Sequence, residues 1–234
     1  MGIKPSVLQY AVAGAQLLPP IAALAGRRMA HPARRWIVVW CLVLTVESVL
    51  SRMLGLRHVN NLWLSYMFMP LTTGLALWAL SHWQARGTLR LALRVSIPVV
   101  VVVSVALTVT IDDMRTFSLV AAPFHSLVLL LAVLGTLIHL SFRADGPLVG
   151  HDWFWVTSGL IIYAGTTAAV QPLGWYFLAE REELVRAVWT ASAAAGVLAF
   201  IAIAGGLLCP ELPTSSGGSS SPPSSRSWSS RSGS

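Results

Sequence analysis

The sequence predicts an all-α integral membrane bundle of seven transmembrane helices, with the amino terminus outside and the carboxyl terminus in the cytoplasm. Of its 234 residues, 55% are hydrophobic and 11% are charged, against roughly 25% charged in an ordinary soluble domain. The mean hydropathy is +0.69. The apolar residues form long runs, and arginine is concentrated in alternate connections between them. These observations make a lipid bilayer the expected environment.

Seven apolar runs are long enough to cross a hydrocarbon layer of about 30 Å, which takes about 20 helical residues. They lie at 6–26, 36–56, 62–82, 91–110, 117–142, 153–178 and 184–208. Because the connections are short, sequential spans are expected to be antiparallel neighbours within one domain, 1–208. In the first run, the A-x-A pattern at 23–25 is an alternative signal for a cleaved leader peptide. The length of that run, its internal Pro19 and Pro20 and the arginines that follow favour a retained span.

The charged residues of the connections predict the orientation. Arginines mark the first, third and fifth connections and the span starts beside them: Arg27, Arg28, Arg34, Arg35, Arg86, Arg90, Arg94 and Arg143. The alternate connections hold RHVNN, IDDMR and AEREE, where acidic residues match or outnumber basic ones except in the first. Because arginine and lysine favour cytoplasmic loops, the chain is expected to begin outside and end inside. The composition, rich in arginine, alanine and valine, is typical of proteins in the plasma (inner) membrane of bacteria.

The last residues, 209–234, change in composition to serine, proline and glycine. Such a segment buries too little apolar surface to order itself, so a disordered cytoplasmic tail is predicted. A modification or partner-docking role is the alternative, and Arg226, Trp228 and Arg231 suit contact with an anionic lipid surface.

Glu47 is the feature of the spans that most needs explanation. It lies 11 residues into the second run, about 16 Å from the cytoplasmic edge and therefore near the midplane. Ionisable groups at this depth are costly and usually face a protein interior or a cavity. Arg52 is five residues further along, about 140° around the helix, so an ion pair within the helix is poorly disposed. Glu47 therefore needs a partner on another helix, or a proton.

Other polar side chains at membrane depth are concentrated between the midplane and the outer surface. The candidate ligand-binding residues are Glu47, Arg52, Tyr66, His125, Tyr163, Thr166 and Gln171. They predict a polar cavity in the outer half of the bundle, where the His125 imidazole could change charge near neutral pH. The alternative is that these groups form interhelical hydrogen bonds that fix the packing, with the Arg52 side chain extending to the interface.

Several chemistries are not expected. No nucleophile, phosphate-binding or dinucleotide-binding motif occurs in a suitable context, so no catalytic residue or cofactor is assigned and enzymatic activity is not predicted. A metal site is not predicted either, because His125 and His139 would be about 21 Å apart along one helix and neither Cys41 nor Cys209 has a neighbouring ligand. The last run has no lysine to hold retinal. The sequence has no basic face interleaved with aromatic residues, so nucleic acid is not an expected partner.

The sequence therefore leaves three hypotheses about function. The first is a receptor-like or sensory membrane protein that binds a small ligand, a lipid or a proton in the outer half. The second is a secondary or proton-coupled transporter, which requires the polar layer to open alternately to both sides. The third is a subunit of a membrane assembly, whose charged residues pair with a protein partner.

Overall fold

The chain folds into α-helices. The computed structural model describes residues 5–26, 29–85, 87–112, 114, 118–144, 146–178 and 182–209, with the backbone alone for 5–9, 171–178 and 182. Over these residues 86% of the chain is helical and no strand occurs. The helices are α1 (Pro5–Gln16), α2 (Leu18–Gly26), α3 (Pro32–Leu56), α4 (Leu62–Trp83), α5 (Thr88–Thr110), α6 (Ala121–Ser141), α7 (Asp152–Leu178) and α8 (Glu182–Leu208), with a 3₁₀ turn at Leu148–Gly150.

Six of these helices, α3 to α8, are long and apolar enough to cross a membrane. They indicate a membrane-embedded, multi-pass protein, and their bounds agree with six of the expected spans to within four residues. The predicted tail, apart from Cys209, lies outside the described residues.

The first expected span differs, because it consists of two short helices instead of one. Helix α1 ends at Gln16 and α2 begins at Leu18, just before Pro19 and Pro20. Proline has no backbone N–H to continue the hydrogen-bond ladder of a preceding helix, but it is tolerated in a first helical turn, where that N–H has no partner. The two prolines therefore end one helix and begin the next, and neither piece alone is long enough to cross a bilayer.

The helices form a closed ring. Helices α3, α4, α6, α7 and α8 each pack against the next in that order, and the α1–α2 pair packs against both α8 and α3. Helix α5 lies outside the ring, against α4 and the edge of α6. It is the least buried of the six long helices, with 17% of its most apolar stretch inside the protein. The ring encloses an apolar core that includes Leu77, Val133, Leu160 and Phe200.

Helices α7 and α8 approach closely through glycine. A Cβ atom at Gly159 would lie 2.6 Å from the Ala199 carbonyl oxygen, and one at Gly206 would lie 2.8 Å from the Asp152 carbonyl oxygen. No side chain fits at such distances, so the absence of a Cβ sets the spacing of this helix pair.

A buried ion pair joins three helix ends. Arg34, which the sequence suggested only as an orientation signal, is 1% exposed. Its Nε donates to Asp152 Oδ2 at 2.8 Å, and its Nη2 donates to the Cys209 carbonyl at 3.1 Å. Asp152 Oδ1 also accepts the Trp153 N–H at 2.8 Å. The starts of α3 and α7 are thereby fixed to the end of α8.

Asp112 organises the opposite end of the bundle. Its carboxylate accepts the Ala121 N–H at 3.0 Å and the Ser118 hydroxyl at 2.8 Å, immediately before α6. A carboxylate at a helix amino end satisfies otherwise unpaired N–H groups and complements the helix dipole. This cap fixes where α6 starts and therefore where His125 lies.

Candidate functional site

A polar cavity of about 170 Å³ lies inside the ring, between α3, α4, α6 and α7. Its volume is enough for on the order of five water molecules, or for a small ligand. It is lined by Trp40, Leu44, Glu47, Ser65, Met69, Thr72, Thr73, Ala122, His125, Ser126, Leu129, Tyr163, Ala164 and Thr167. Hydroxyl groups, a carboxyl and an imidazole thus converge from four helices.

The polar cavity is displaced toward one end of the bundle. Ser65 lies in the first turn of α4 and His125 lies in the second turn of α6, so both are near the end that carries the α3–α4 and α5–α6 connections. The other end is closed by aromatic rings. Tyr163 packs edge-on against Trp40 at 5.4 Å between ring centroids, and Phe200 lies 5.9 Å from Tyr163. Beyond these aromatic side chains, the space enclosed by the helices is filled by the apolar core.

Glu47 meets a hydroxyl group and not a cation. Its carboxyl hydrogen-bonds with Ser65 of α4, so the expected partner on another helix is present. Among the side chains that the structure describes, none with a basic nitrogen lies within 4.0 Å of the Glu47 oxygens. The carboxyl therefore retains hydrogen-bonding capacity toward the cavity.

His125 bridges the cavity wall and the peripheral helix α5. The Ser104 hydroxyl donates to the Val100 carbonyl at 2.6 Å, and the same oxygen lies 2.6 Å from His125 Nε2. Because the hydroxyl hydrogen is already used, Nε2 carries the hydrogen and donates to Ser104. On the other side of the ring, Nδ1 lies 3.0 Å from the Thr73 hydroxyl, which donates to it when the imidazole is neutral.

The structure brings together three of the seven candidate residues: Glu47, His125 and Tyr163 all line the polar cavity. Arg52 lies elsewhere, with its Cζ 3.6 Å from the centroid of the Tyr10 ring on α1. This contact is a cation–π interaction that fixes α1 to α3.

Three further candidate residues are not among those that the structure describes as lining the polar cavity. Tyr66 is buried on α4 outside the set of lining side chains. The Thr166 hydroxyl donates to the Ile162 carbonyl of its own helix at 2.6 Å, and the lining residue is its neighbour Thr167. Gln171 falls where the side chains are outside the described residues.

Sequence reasoning missed Ser65, Ser104 and Ser126 as candidates. Serine is common in membrane helices and gives no signal by itself, because its hydroxyl often bonds the carbonyl four residues earlier. The one available signal was that Ser126 adjoins His125 in the sequence. Helix rotation, which depth does not supply, decides whether such residues meet.

Comparisons of the chain with protein-family models, with curated proteins and with solved structures found no match. Over the residues that the structure describes, no three metal-ligating side chains lie together. The site is therefore interpreted from its own geometry.

Proposed function

We propose that this protein is a receptor-like or sensory membrane protein that binds a small polar ligand in the polar cavity. One observation carries the proposal: the Glu47 carboxyl lies at membrane depth, with no described basic partner, on a cavity that His125 and Tyr163 also line. A glutamine would hydrogen-bond Ser65 equally well without the cost of an ionisable group. The carboxyl is best explained by something that it binds.

The lining indicates the chemistry of that ligand. A carboxyl accepts hydrogen bonds and attracts positive charge, so an N–H donor or an ammonium group suits Glu47. The aromatic rings of Trp40 and Tyr163 also line the cavity, and aromatic rings suit a cation or an apolar edge. The volume of about 170 Å³ restricts the ligand to a small molecule. A proton held by Glu47 is the smallest ligand of this class.

The topology that we propose has seven spans. Helices α1 and α2 together cover 22 residues, Pro5–Gln16 and Leu18–Gly26 with the turn between them, which is about 33 Å of helix and enough for a crossing. The arginine distribution supports an external amino terminus and a cytoplasmic tail, 209–234. The arginine-, alanine- and valine-rich composition favours a bacterial plasma membrane. The polar cavity then lies in the outer half.

Binding is favoured over transport because the cavity is closed at one end. A transporter would have to separate Trp40, Tyr163 and Phe200, which pack at ring distances of 5.4 to 6.1 Å, and then open the apolar core beyond them. An assembly subunit would most readily present α5, which lies outside the ring. Neither alternative explains a Glu47 carboxyl on the cavity that has no basic partner among the described side chains.

The proposal is tested by ligand-dependent thermal stability. The purified wild type, Glu47→Gln and the control Arg52→Met are screened in mild detergent against small amines, amino acids and polyols. We expect at least one compound to raise the melting temperature of wild type and of Arg52→Met, but not that of Glu47→Gln, while Glu47→Gln without compound is at least as stable as wild type. A Glu47→Gln protein that unfolds, or a screen in which wild type and Glu47→Gln respond alike, would count against ligand binding.

Accessibility separates binding from transport. In a background without Cys41 and Cys209, Ser65→Cys and Ser126→Cys are expected to react with a membrane-impermeant maleimide from the outer side only. Reaction from both sides would favour the transporter hypothesis instead.

A further inference from the structure

A second group of polar side chains lies at the other end of the bundle, where α4 ends and α5 begins. Four of its residues hold buried polar atoms with no hydrogen-bond partner in the described part of the chain: His82 Nε2, Trp83 Nε1, both carboxamide atoms of Gln84, and Arg90 Nε. Gln84 is 3% exposed. Burying a polar atom without a partner is costly and rare in native proteins. Their concentration within nine positions of the chain indicates a missing partner.

Among the described side chains, arginines outnumber carboxylates at this end of the bundle. Arg90 and Arg94 are one turn apart on α5, and both act electrostatically on the His82 imidazole, as does His31. At this end Asp152 is the carboxylate among the described side chains, and it is paired with Arg34. Over the same side chains, no carboxylate oxygen lies within 4.0 Å of Arg90 or Arg94. The missing partner is therefore expected to be anionic.

The amino end of α5 adds to the positive potential. Its first turn contains Arg90 and no acidic residue, and its N-cap, Gly87, offers no side chain. A helix amino end carries about half a positive charge and N–H groups without helical partners, so an arginine there is unfavourable unless an anion is bound. Helix amino ends with nearby arginine are well suited to phosphate.

Aromatic contacts hold these groups in place. The Trp83 ring stacks on His31 at 6.3 Å with an interplanar angle of 15°. Trp78 packs edge-on with His82 at 5.4 Å, and the Arg94 guanidinium lies 4.6 Å from the Trp78 ring centroid. The donors are thus fixed before any ligand arrives, which lowers the entropic cost of binding.

We propose that His82, Trp83, Gln84, Arg90 and Arg94 form a phosphate-binding site, the α4–α5 basic site. Phosphate oxygens would accept hydrogen bonds from the unpartnered nitrogens, and Gln84 Oε1 would accept one from a hydroxyl of the ligand. At the end of a membrane-spanning hairpin, the phosphate of an anionic phospholipid headgroup and free inorganic phosphate both have this chemistry. The site does not depend on the ligand proposed for the polar cavity.

The test uses the full chain, delipidated in a neutral detergent. Melting temperatures are compared with phosphatidylglycerol and with phosphatidylcholine of the same acyl chains, and with sodium phosphate and sodium chloride at equal ionic strength. The variants are Arg90→Gln and Trp83→Phe; the second removes the indole N–H and leaves a smaller aromatic ring against His31. The control is Arg143→Gln, an exposed arginine at the same end of the bundle.

We expect phosphatidylglycerol to stabilise wild type and Arg143→Gln more than phosphatidylcholine does. Arg90→Gln should need about tenfold more lipid for the same shift, which is the loss expected for one charge-assisted hydrogen bond. Stabilisation by inorganic phosphate, without a preference for phosphatidylglycerol, would assign the site to free phosphate and also support the proposal.

Two results would overturn it. One is that phosphatidylglycerol acts no differently from phosphatidylcholine and phosphate no differently from chloride. The other is that Trp83→Phe and Arg90→Gln respond as wild type does. If Arg90→Gln fails to fold, Trp83→Phe and native mass spectrometry of wild type decide between these outcomes, because wild type should retain phosphatidylglycerol in preference to phosphatidylcholine.

Discussion

The ion pair between Arg34 and Asp152 provides a quantitative test of how the helix ends are held together. Asp152→Asn removes the carboxylate charge but keeps the side-chain size and the oxygen that accepts the Trp153 N–H. The guanidinium that remains is 1% exposed, so it stays out of water without the carboxylate that it pairs with. Removing one partner of a buried pair costs about 3 to 5 kcal/mol, and we expect a value at the lower end because the Cys209 carbonyl still accepts from Nη2.

The reverse change should cost less. Arg34→Met leaves the Asp152 carboxylate, whose side chain is 17% exposed and can reach water. We expect a loss of about 1 to 3 kcal/mol, the usual range for a polar group that loses a buried partner. In the double variant neither charge of the pair remains. It should be no less stable than Asp152→Asn alone, so the coupling energy should be at least as large as the Arg34→Met loss of about 1 to 3 kcal/mol.

The measurement is reversible unfolding in mixed micelles of sodium dodecyl sulfate and a mild detergent, followed by circular dichroism and tryptophan fluorescence. Coincident transitions by the two probes would justify a two-state treatment. If the two single losses add up to the loss in the double variant within about 0.5 kcal/mol, the pair is not coupled and the reasoning fails.

Three further predictions concern helix packing, and the first two have a matched control. Gly159→Ala places a Cβ 2.6 Å from a carbonyl oxygen of α8, so it should destabilise by about 1 to 3 kcal/mol in detergent unfolding, whereas Gly165→Ala meets only ordinary contact at 4.0 Å and should be close to neutral. Ser104→Ala leaves the cavity imidazole without its α5 partner and should cost about 1 to 3 kcal/mol, while Ser96→Ala removes a hydroxyl bonded to its own helix and should cost less than about 0.5 kcal/mol. Equal effects within either pair would contradict the packing described. Arg52→Met should lose about 0.5 to 1 kcal/mol of cation–π energy and leave ligand binding in the polar cavity unchanged. A loss of binding would show that Arg52 contributes to the site after all.

The fold was largely predictable because membrane spans depend on length and apolar composition, both of which are legible in sequence. The bounds of α3 to α8 follow from them. The break at Leu17 was harder to predict: Pro19 and Pro20 indicated a kink, but whether a proline pair bends a helix or ends it depends on the packing of neighbouring helices.

The depth of the candidate residues along their helices was predictable, but the direction in which each side chain points was not. Glu47, His125 and Tyr163 were expected at similar heights, and they meet because all three point into the ring. Arg52 has a suitable height but a different direction, toward Tyr10. The α4–α5 basic site was not predicted, because its arginines were explained as orientation signals. Only burial shows that the polar atoms beside them have no hydrogen-bond partner within the described part of the chain.

The ring closes between the first and the last of the described helices, which limits how early in biosynthesis it can form. Helices α1 and α2 are synthesised before the other described helices, yet they pack against α8, the one of them that leaves the ribosome latest. Contacts so distant in sequence form late, because a long loop must close before they are gained. We therefore expect the surface of α1 and α2 that packs against α8 to stay uncovered until α8 has been synthesised. Chains truncated before Glu182 should therefore be degraded by quality-control proteases faster than chains that contain α8.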